Sequence, residues 1–265
     1  MRKLLLLFIL FIAVQGYSQK DSIINFLGRK GKVIKNKEKV RFFEIITKKS
    51  DSLWLTKRYR RNGKQVASWF TKDKERKNKI GESKTFNGSG KLSSIVYYNL
   101  KGNKTGRYRS WFDNTAKNIE GIYIDGSKEG VWKYYHYNGV LASRKIYKKD
   151  SLLKSSYYNE KGVKIKHDKS LCLAEASFKG GSNAFYQKVK KLYPKLGYKV
   201  KGVIYVDFTI DIYGNIRNVI VNENVTPDLK NKIITFFEKI KGWSPAIQVH
   251  RKIPFNISIP LKFRG

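Results

Sequence analysis

The side chains best suited to ligating a metal or attacking a substrate are few: one cysteine, Cys172, and three histidines, His136, His167 and His250. In sequence they look scattered. No two histidines stand at the i, i+4 spacing that puts both imidazoles on one helix face, and no cysteine or glutamate accompanies them at metal-ligand spacing. His167-Asp168 reads as a solvated dipeptide in a linker. Cys172, beside Leu171 and Leu173, reads as a small buried apolar residue. A single cysteine allows no intrachain disulfide, while an intermolecular one stays open in an oxidising compartment. Gly180-Gly181 is not a phosphate loop, because no Gly-Lys-Ser/Thr follows; Ser182-Asn183 reads instead as the N-cap of a helix running to Leu192. There is no Gly-x-Ser-x-Gly nucleophile elbow. The 20 acidic residues are widely spaced and offer no carboxylate pair for acid–base work. These residues predict a non-enzymatic chain with no catalytic, metal or cofactor site.

The elements that could position any chemistry are clearest near the C-terminus. Ile204, Val206, Phe208 and Ile210 alternate with polar residues, the period of a strand with one apolar face. Gly214-Asn215 supplies a turn, and Ile216 to Val221 a second strand, so the two form a hairpin. Thr226-Pro227-Asp228 is a helix start, with Thr as N-cap and Pro at the first helical position. Leu229, Ile233, Phe236, Phe237 and Ile240 recur at helical spacing, and Gly242 ends the run. Lys252 to Leu261 reads as the last strand, with Ile253, Phe255, Ile257 and Ile259 alternating.

This order resembles the C-terminal domain of TonB, the energy transducer of Gram-negative envelopes. The resemblance is carried by Gly202-Val-Ile-Tyr-Val-Asp-Phe-Thr-Ile-Asp-Ile-Tyr-Gly214, Val219 to Val221, Trp243-Ser-Pro245-Ala246 and Ile259-Pro260-Leu261. Phe178-Lys-Gly-Gly181 and Tyr193-Pro194 are similar to a lead-in found in one branch of that family, with Lys179 in place of its usual proline. The resemblance implies a sheet that binds a short segment of an outer-membrane transporter, or of another envelope protein, by strand pairing. Arg251 to Leu261 is the candidate edge, because Pro254 cannot donate to a ladder and prolines are mostly confined to edges. The partner-binding candidates are Arg251, Lys252, Ile253, Phe255 and Ile257. A paired structural strand or a homodimer contact is the competing reading of the same segment.

Arg2-Lys3 followed by the apolar run Leu4 to Val14 and small or polar residues reads as a signal peptide over 1–18. The run is shorter than the roughly 20 apolar residues that span a bilayer. Export places the chain in the periplasm; a retained anchor would instead restore the transducer reading. The formal charge is +36, and removing Arg2 and Lys3 leaves +34. A field this basic attracts anionic partners and weakens with salt. For an exported protein these are anionic lipid, lipopolysaccharide or acidic polymers rather than nucleic acid.

Residues 20–40 are Lys-rich and weakly patterned and read as a frayed lead-in. From Val40 to Lys166 short aromatic strands alternate with Gly and Asn. Gly81-Glu-Ser83, Gly106-Arg-Tyr108 and Gly130-Val-Trp132 open three similar units, 25 and 24 residues apart, and the glycine that opens each reads as a place where the backbone turns tightly. Trp54 with Asn62-Gly63-Lys64 is a degraded earlier copy, and Tyr157-Tyr158 with Lys161-Gly162 a later one. One hairpin cannot bury its aromatic face alone, but stacked neighbours can. The pattern resembles divergent bacterial MORN-type repeats. Trp54, Trp69, Trp111 and Trp132 read as core.

The expected architecture is thus a mainly β array of stacked hairpins over 19–166 and an α+β domain over 167–265. All five prolines lie from Pro194 onward, so no Pro-rich spacer precedes the last domain. The sequence therefore predicts a soluble periplasmic adaptor that uses a TonB-like fold, with a basic binder of anionic lipid or lipopolysaccharide as the alternative.

Overall fold

The computed structural model describes residues 22–28, 31–36, 40–196, 202–221 and 225–263. Residues 1–18, where the sequence predicts a signal peptide, lie outside them. The chain is mostly β, with a long antiparallel hairpin sheet followed by a small α+β region, as the sequence predicts.

Twelve strands form the first sheet: β1 (Ser22–Leu27), β2 (Phe42–Ser50), β3 (Leu53–Arg60), β4 (Gln65–Thr71), β5 (Lys79–Phe86), β6 (Leu92–Tyr98), β7 (Lys104–Trp111), β8 (Lys117–Ile124), β9 (Ser127–Tyr135), β10 (Leu141–Lys148), β11 (Ser151–Tyr158) and β12 (Lys164–Ile165). Each pairs with the next in chain order. Local turn chemistry enforces this meander. At Asn87 the side-chain Oδ1 accepts the amides of Ser89 and Lys91, both at 3.0 Å, and the Gly90 amide closes the turn on the Asn87 carbonyl. Gly90 holds φ +86°, which glycine adopts without a Cβ penalty. The same arrangement recurs at Asn99 with Gly102 and at Asn159 with Gly162.

Two sequence expectations need correction here. Residues 22–27 are not a frayed lead-in: they pair in register with β2, because Ile24 and Phe26 alternate into strand geometry and Leu27 is fully buried. The unit-opening glycines do not lie in the turns. Gly81, Gly106 and Gly130 sit inside β5, β7 and β9 at φ +62°, +67° and +63°, beside breaks in the ladder register. They are bulge residues, where an extra residue in one strand needs a left-handed backbone. The bulge at Gly130 is followed by Trp132, whose ring lies over Gly121 of β8. A Cβ on Gly121 would come 2.2 Å from that ring. Trp132 is 2 % exposed, stacks on Tyr108, meets Tyr123 edge-on and donates its indole N–H to the Ile122 carbonyl.

The C-terminal region is built on a three-stranded antiparallel sheet ordered β16 (Ile216–Val221), β15 (Gly202–Ile210), β20 (Phe255–Phe263). Its apolar face packs against α1 (Gly181–Lys190) and α2 (Pro227–Glu238), with Phe185, Val206, Phe208, Ile210, Ile233 and Phe237 at the centre of the core. Burial of side chains this size contributes about 1.5–3 kcal/mol each before entropy is counted. The Thr226 hydroxyl accepts the Leu229 amide, the predicted cap. The start of α1 differs from expectation: Gly180 at φ +81° is its N-cap, and neither Ser182 nor Asn183 caps it, because the left-handed glycine turns the chain into the helix first. Around this unit lie the short strands β13 (Leu173–Ala174), β18 (Ala246–Gln248) and β19 (Arg251–Ile253) in one sheet, and β14 (Ser177–Phe178) with β17 (Trp243–Ser244) in another. Among the described residues no helix is long and apolar enough to cross a membrane.

The β15–β16 turn carries a pH-sensitive contribution. Asp211 accepts the amides of Tyr213 and Asn215 at 2.9 and 2.8 Å and lies near Arg217. Partial burial raises its pKa, but these donors outweigh burial and hold it below the ordinary value of 3.8. A depressed carboxyl stabilises the fold above the unfolded pKa, and this contribution is lost as pH falls through the lower folded value. The stability advantage of the native chain over Asp211→Asn is therefore expected to shrink between neutral pH and about pH 3, as read by thermal midpoints at both.

Candidate functional site

The segment proposed as the partner edge is two strands rather than one. Arg251–Ile253 forms β19 and pairs with β18; Phe255–Phe263 forms β20 and pairs with β15 from Ile210↔Phe255 to Gly202↔Phe263. Pro254 marks the break, since it has no N–H to continue either ladder. Among the described residues β20 has a strand on one side only. Pro260 lies within it, in unbroken register opposite Tyr205, so its nitrogen faces the open side, where no ladder bond is lost. Residues of the same parity, Asn256, Ser258 and Lys262, turn their amides the same way. The Lys262 amide already meets the Tyr193 hydroxyl. The open part of the edge is accordingly its first half, at Asn256 and Ser258.

The candidate residues divide between inside and outside. Arg251 is 2 % exposed. One guanidinium nitrogen donates to the Asn118 carbonyl at 2.8 Å, the Asn118 Oδ1 at 2.6 Å and the Tyr135 carbonyl at 2.7 Å, and the group lies over the rings of Phe112 and Tyr134. Burial pulls its pKa down to about 10, opposed by Tyr134 and Tyr108. It is an internal clamp between β19 and strands β8 and β9, so it is not available to a partner. Lys252 is exposed, Ile253 is half-buried, and Phe255 and Ile257 are half-buried on the helix-facing side of β20, with Ile257 against the core.

The opposite face of this sheet meets the long sheet across a cleft of about 600 Å³, a size typical of ligand pockets. Asn256 and Ser258 form one wall, and Phe86, Asn87 and Trp111 stand in the long sheet's wall. Arg41 and Arg60 approach Asp207 at 3.9 and 3.7 Å and line the same space. The cleft thus runs beside the open half of the edge.

The long sheet carries a second feature that residue spacing alone does not reveal. Lys79 lies over Trp69 and Tyr98, Lys104 over Tyr123, and Lys128 over Trp132 and Tyr147. These lysines come from β5, β7 and β9, so neighbours are two strands, about 10 Å, apart. Burial and then the charges of Arg58 and Lys104 lower the Lys79 pKa, which places like charges in one row. Among the described residues no carboxylate forms an ion pair with Lys79, Lys104 or Lys128. The signal existed in the repeat: each lysine falls two residues before a unit-opening glycine.

His136 is buried, with its Nε2 at 2.8 Å from the Tyr158 carbonyl, in a structural role. The other two histidines are not scattered in space. His167, Cys172 and His250 converge where the end of the long sheet meets the β18–β19 hairpin. Cys172 is half-buried with its sulfur 3.4 Å from His167 Nε2, not enclosed between leucines, because Leu173 points outward at 74 % exposure. The chain matches no protein-family model and no curated protein.

Proposed function

We propose that this chain is a non-enzymatic binding module of the cell envelope that takes an extended segment of a partner protein along the open half of β20. The observation that carries this is the nine-residue strand that, among the described residues, pairs with a strand on one side only, with the cleft beside Asn256 and Ser258 able to receive side chains. Strand addition draws affinity from backbone hydrogen bonds and specificity from such pockets. The TonB resemblance makes an outer-membrane transporter the partner of choice, and another envelope protein the second. Capture from envelope extract by the exported protein tests the reading. Ser258→Pro removes one outward amide and leaves the ladder to β15 intact. It is expected to reduce capture of the transporter at least about tenfold, the worth of one or two backbone bonds, with little change in thermal midpoint. Equal capture by both proteins would sink strand pairing, and recovery of no envelope protein would sink the module itself.

The row of Lys79, Lys104 and Lys128 favours a second reading, in which the long sheet binds anionic lipid or lipopolysaccharide. A lysine near an anionic surface contributes about 1 kcal/mol, so replacing all three by glutamine is expected to weaken binding about a hundredfold. Co-sedimentation with phosphatidylglycerol vesicles and with lipopolysaccharide, at low and high salt, measures it. Binding that ignores salt or survives the triple replacement would remove this reading.

A further inference from the structure

We propose that His167, Cys172 and His250 form a site for one divalent transition-metal ion of the zinc class, with a further coordination position open to solvent. The inference is independent of the partner reading. One ligand atom from each residue can be chosen so that all lie within 4.8 Å of one another. Cys172 Sγ and His167 Nε2 are 3.4 Å apart. A tetrahedral zinc with Zn–S of about 2.3 Å and Zn–N of about 2.0–2.1 Å separates adjacent ligand atoms by about 3.4–3.6 Å. The exposures run from a buried His250 through a half-buried Cys172 to an exposed His167, which leaves one side of the cluster facing water.

Three elements are committed to holding this arrangement. His167 lies two residues after the end of β12. Cys172 follows a single 3-10 turn over Lys169–Leu171, whose start is capped by Asp168 accepting the Ser170 amide. His250 stands in the tight turn between β18 and β19. That turn is Val249-His250, at φ +53° and +61°, where Asn-Gly or another glycine pair is the usual solution and a β-branched residue is an outlier. The turn is held by its own amides: Val249 donates to the Cys172 carbonyl at 2.8 Å and His250 to the Leu171 carbonyl at 2.7 Å. A backbone kept in a disfavoured region by surrounding bonds is a common mark of a site. Tyr157 stacks on the His250 ring at 4.1 Å and lies 5.0 Å from that of His167, which fixes both planes.

The ring nitrogens of His250 supply a further observation. Nε2 lies 3.3 Å from the Asp168 amide, and Nδ1 is buried without a hydrogen-bond partner. A neutral imidazole ligates through one nitrogen and carries its proton on the other, so an ion on Nδ1 would replace the long contact of Nε2 with the Asp168 amide. The donor set decides the class of ion. One thiolate and two imidazoles suit zinc and its neighbours, whereas calcium and magnesium require oxygen ligands. A bound ion would join the end of the long sheet to the β18–β19 hairpin, so it would favour the folded chain over the unfolded one.

The test uses the exported full chain, stripped of metal and kept reduced. Titration with Co²⁺ is expected to give one equivalent bound, with a thiolate-to-cobalt charge-transfer band that Zn²⁺ displaces. Zn²⁺ is expected to raise the thermal midpoint. Cys172→Ser and His167→Asn, neither at a buried position, are each expected to abolish or shift the band and to weaken Zn²⁺ binding by more than about tenfold, the least that disturbing a metal site typically costs. His250→Asn should do the same, with its folding checked by circular dichroism because the residue is buried. No charge-transfer band, unchanged Zn²⁺ affinity in Cys172→Ser or His167→Asn, or a thermal midpoint indifferent to Zn²⁺ would overturn the site.

Discussion

Arg251→Ala is expected to lower the stability of the chain by about 3–5 kcal/mol, which combines a large-to-small cavity with unpaired buried acceptors. The substitution removes a 2 % exposed side chain and strands the Asn118 and Tyr135 carbonyls that its guanidinium satisfies. Losing the buried charge gives some of this back, since no carboxylate accompanies it among the interactions described. Arg251→Met separates the two effects. It refills most of the space and leaves only the acceptors unpaired, so it is expected to cost about 1–3 kcal/mol. Because Arg251 ties β19 to β8 and β9, the alanine variant should also uncouple the two regions in denaturant. Trp243 is the C-terminal reporter, and Trp54, Trp69, Trp111 and Trp132 report on the long sheet. Two separated fluorescence transitions are expected where the native chain shows one. An alanine variant as stable as the native chain would show that the clamp contributes nothing.

Glu44→Ala is expected to be comparably severe, again about 3–5 kcal/mol, because it breaks a buried ion network by removing the carboxylate that two guanidinium groups share. Glu44 is fully buried in β2. Arg58 of β3 donates to its Oε1 from two nitrogens at 2.7 and 2.6 Å, and Arg76, from the loop before β5, contacts Oε2. Arg76 reaches it from a left-handed backbone at φ +62°. Without the carboxylate two guanidinium groups, both already lowered in pKa by burial, are left facing each other. The expected fall in thermal midpoint is about 6–20 °C, at about 2–4 °C per kcal/mol for chains of this size. The double variant Glu44→Ala with Arg58→Ala should cost less than the sum of the two single changes, since the pair interacts directly. Strict additivity would mean that the network is not the source of the loss.

The repeat architecture was legible because its determinants are local. Asn and Gly at fixed offsets close each turn, and period-2 alternation gives each strand its two faces. The β15–β16 hairpin and the Thr226-capped helix were legible for the same reason. The bulges were not. Gly81, Gly106 and Gly130 announced a left-handed backbone, but whether such a glycine closes a turn or inserts a bulge depends on the register of the neighbouring strand. The final alternating run from Lys252 to Leu261 gave no sign that Pro254 divides it between two sheets.

What the sequence determined by itself is therefore the meander, the α+β region after it and the strongly basic character of the whole. Each follows from residue type and short-range spacing. Only the tertiary structure turned Arg251 inward, aligned Lys79, Lys104 and Lys128 over aromatic rings, and brought His167 and Cys172 to His250 across most of the C-terminal region. These arrangements arise from ladder register and from the docking of one sheet on another. Both are set by the packing of residues far apart in the chain, which no local periodicity encodes.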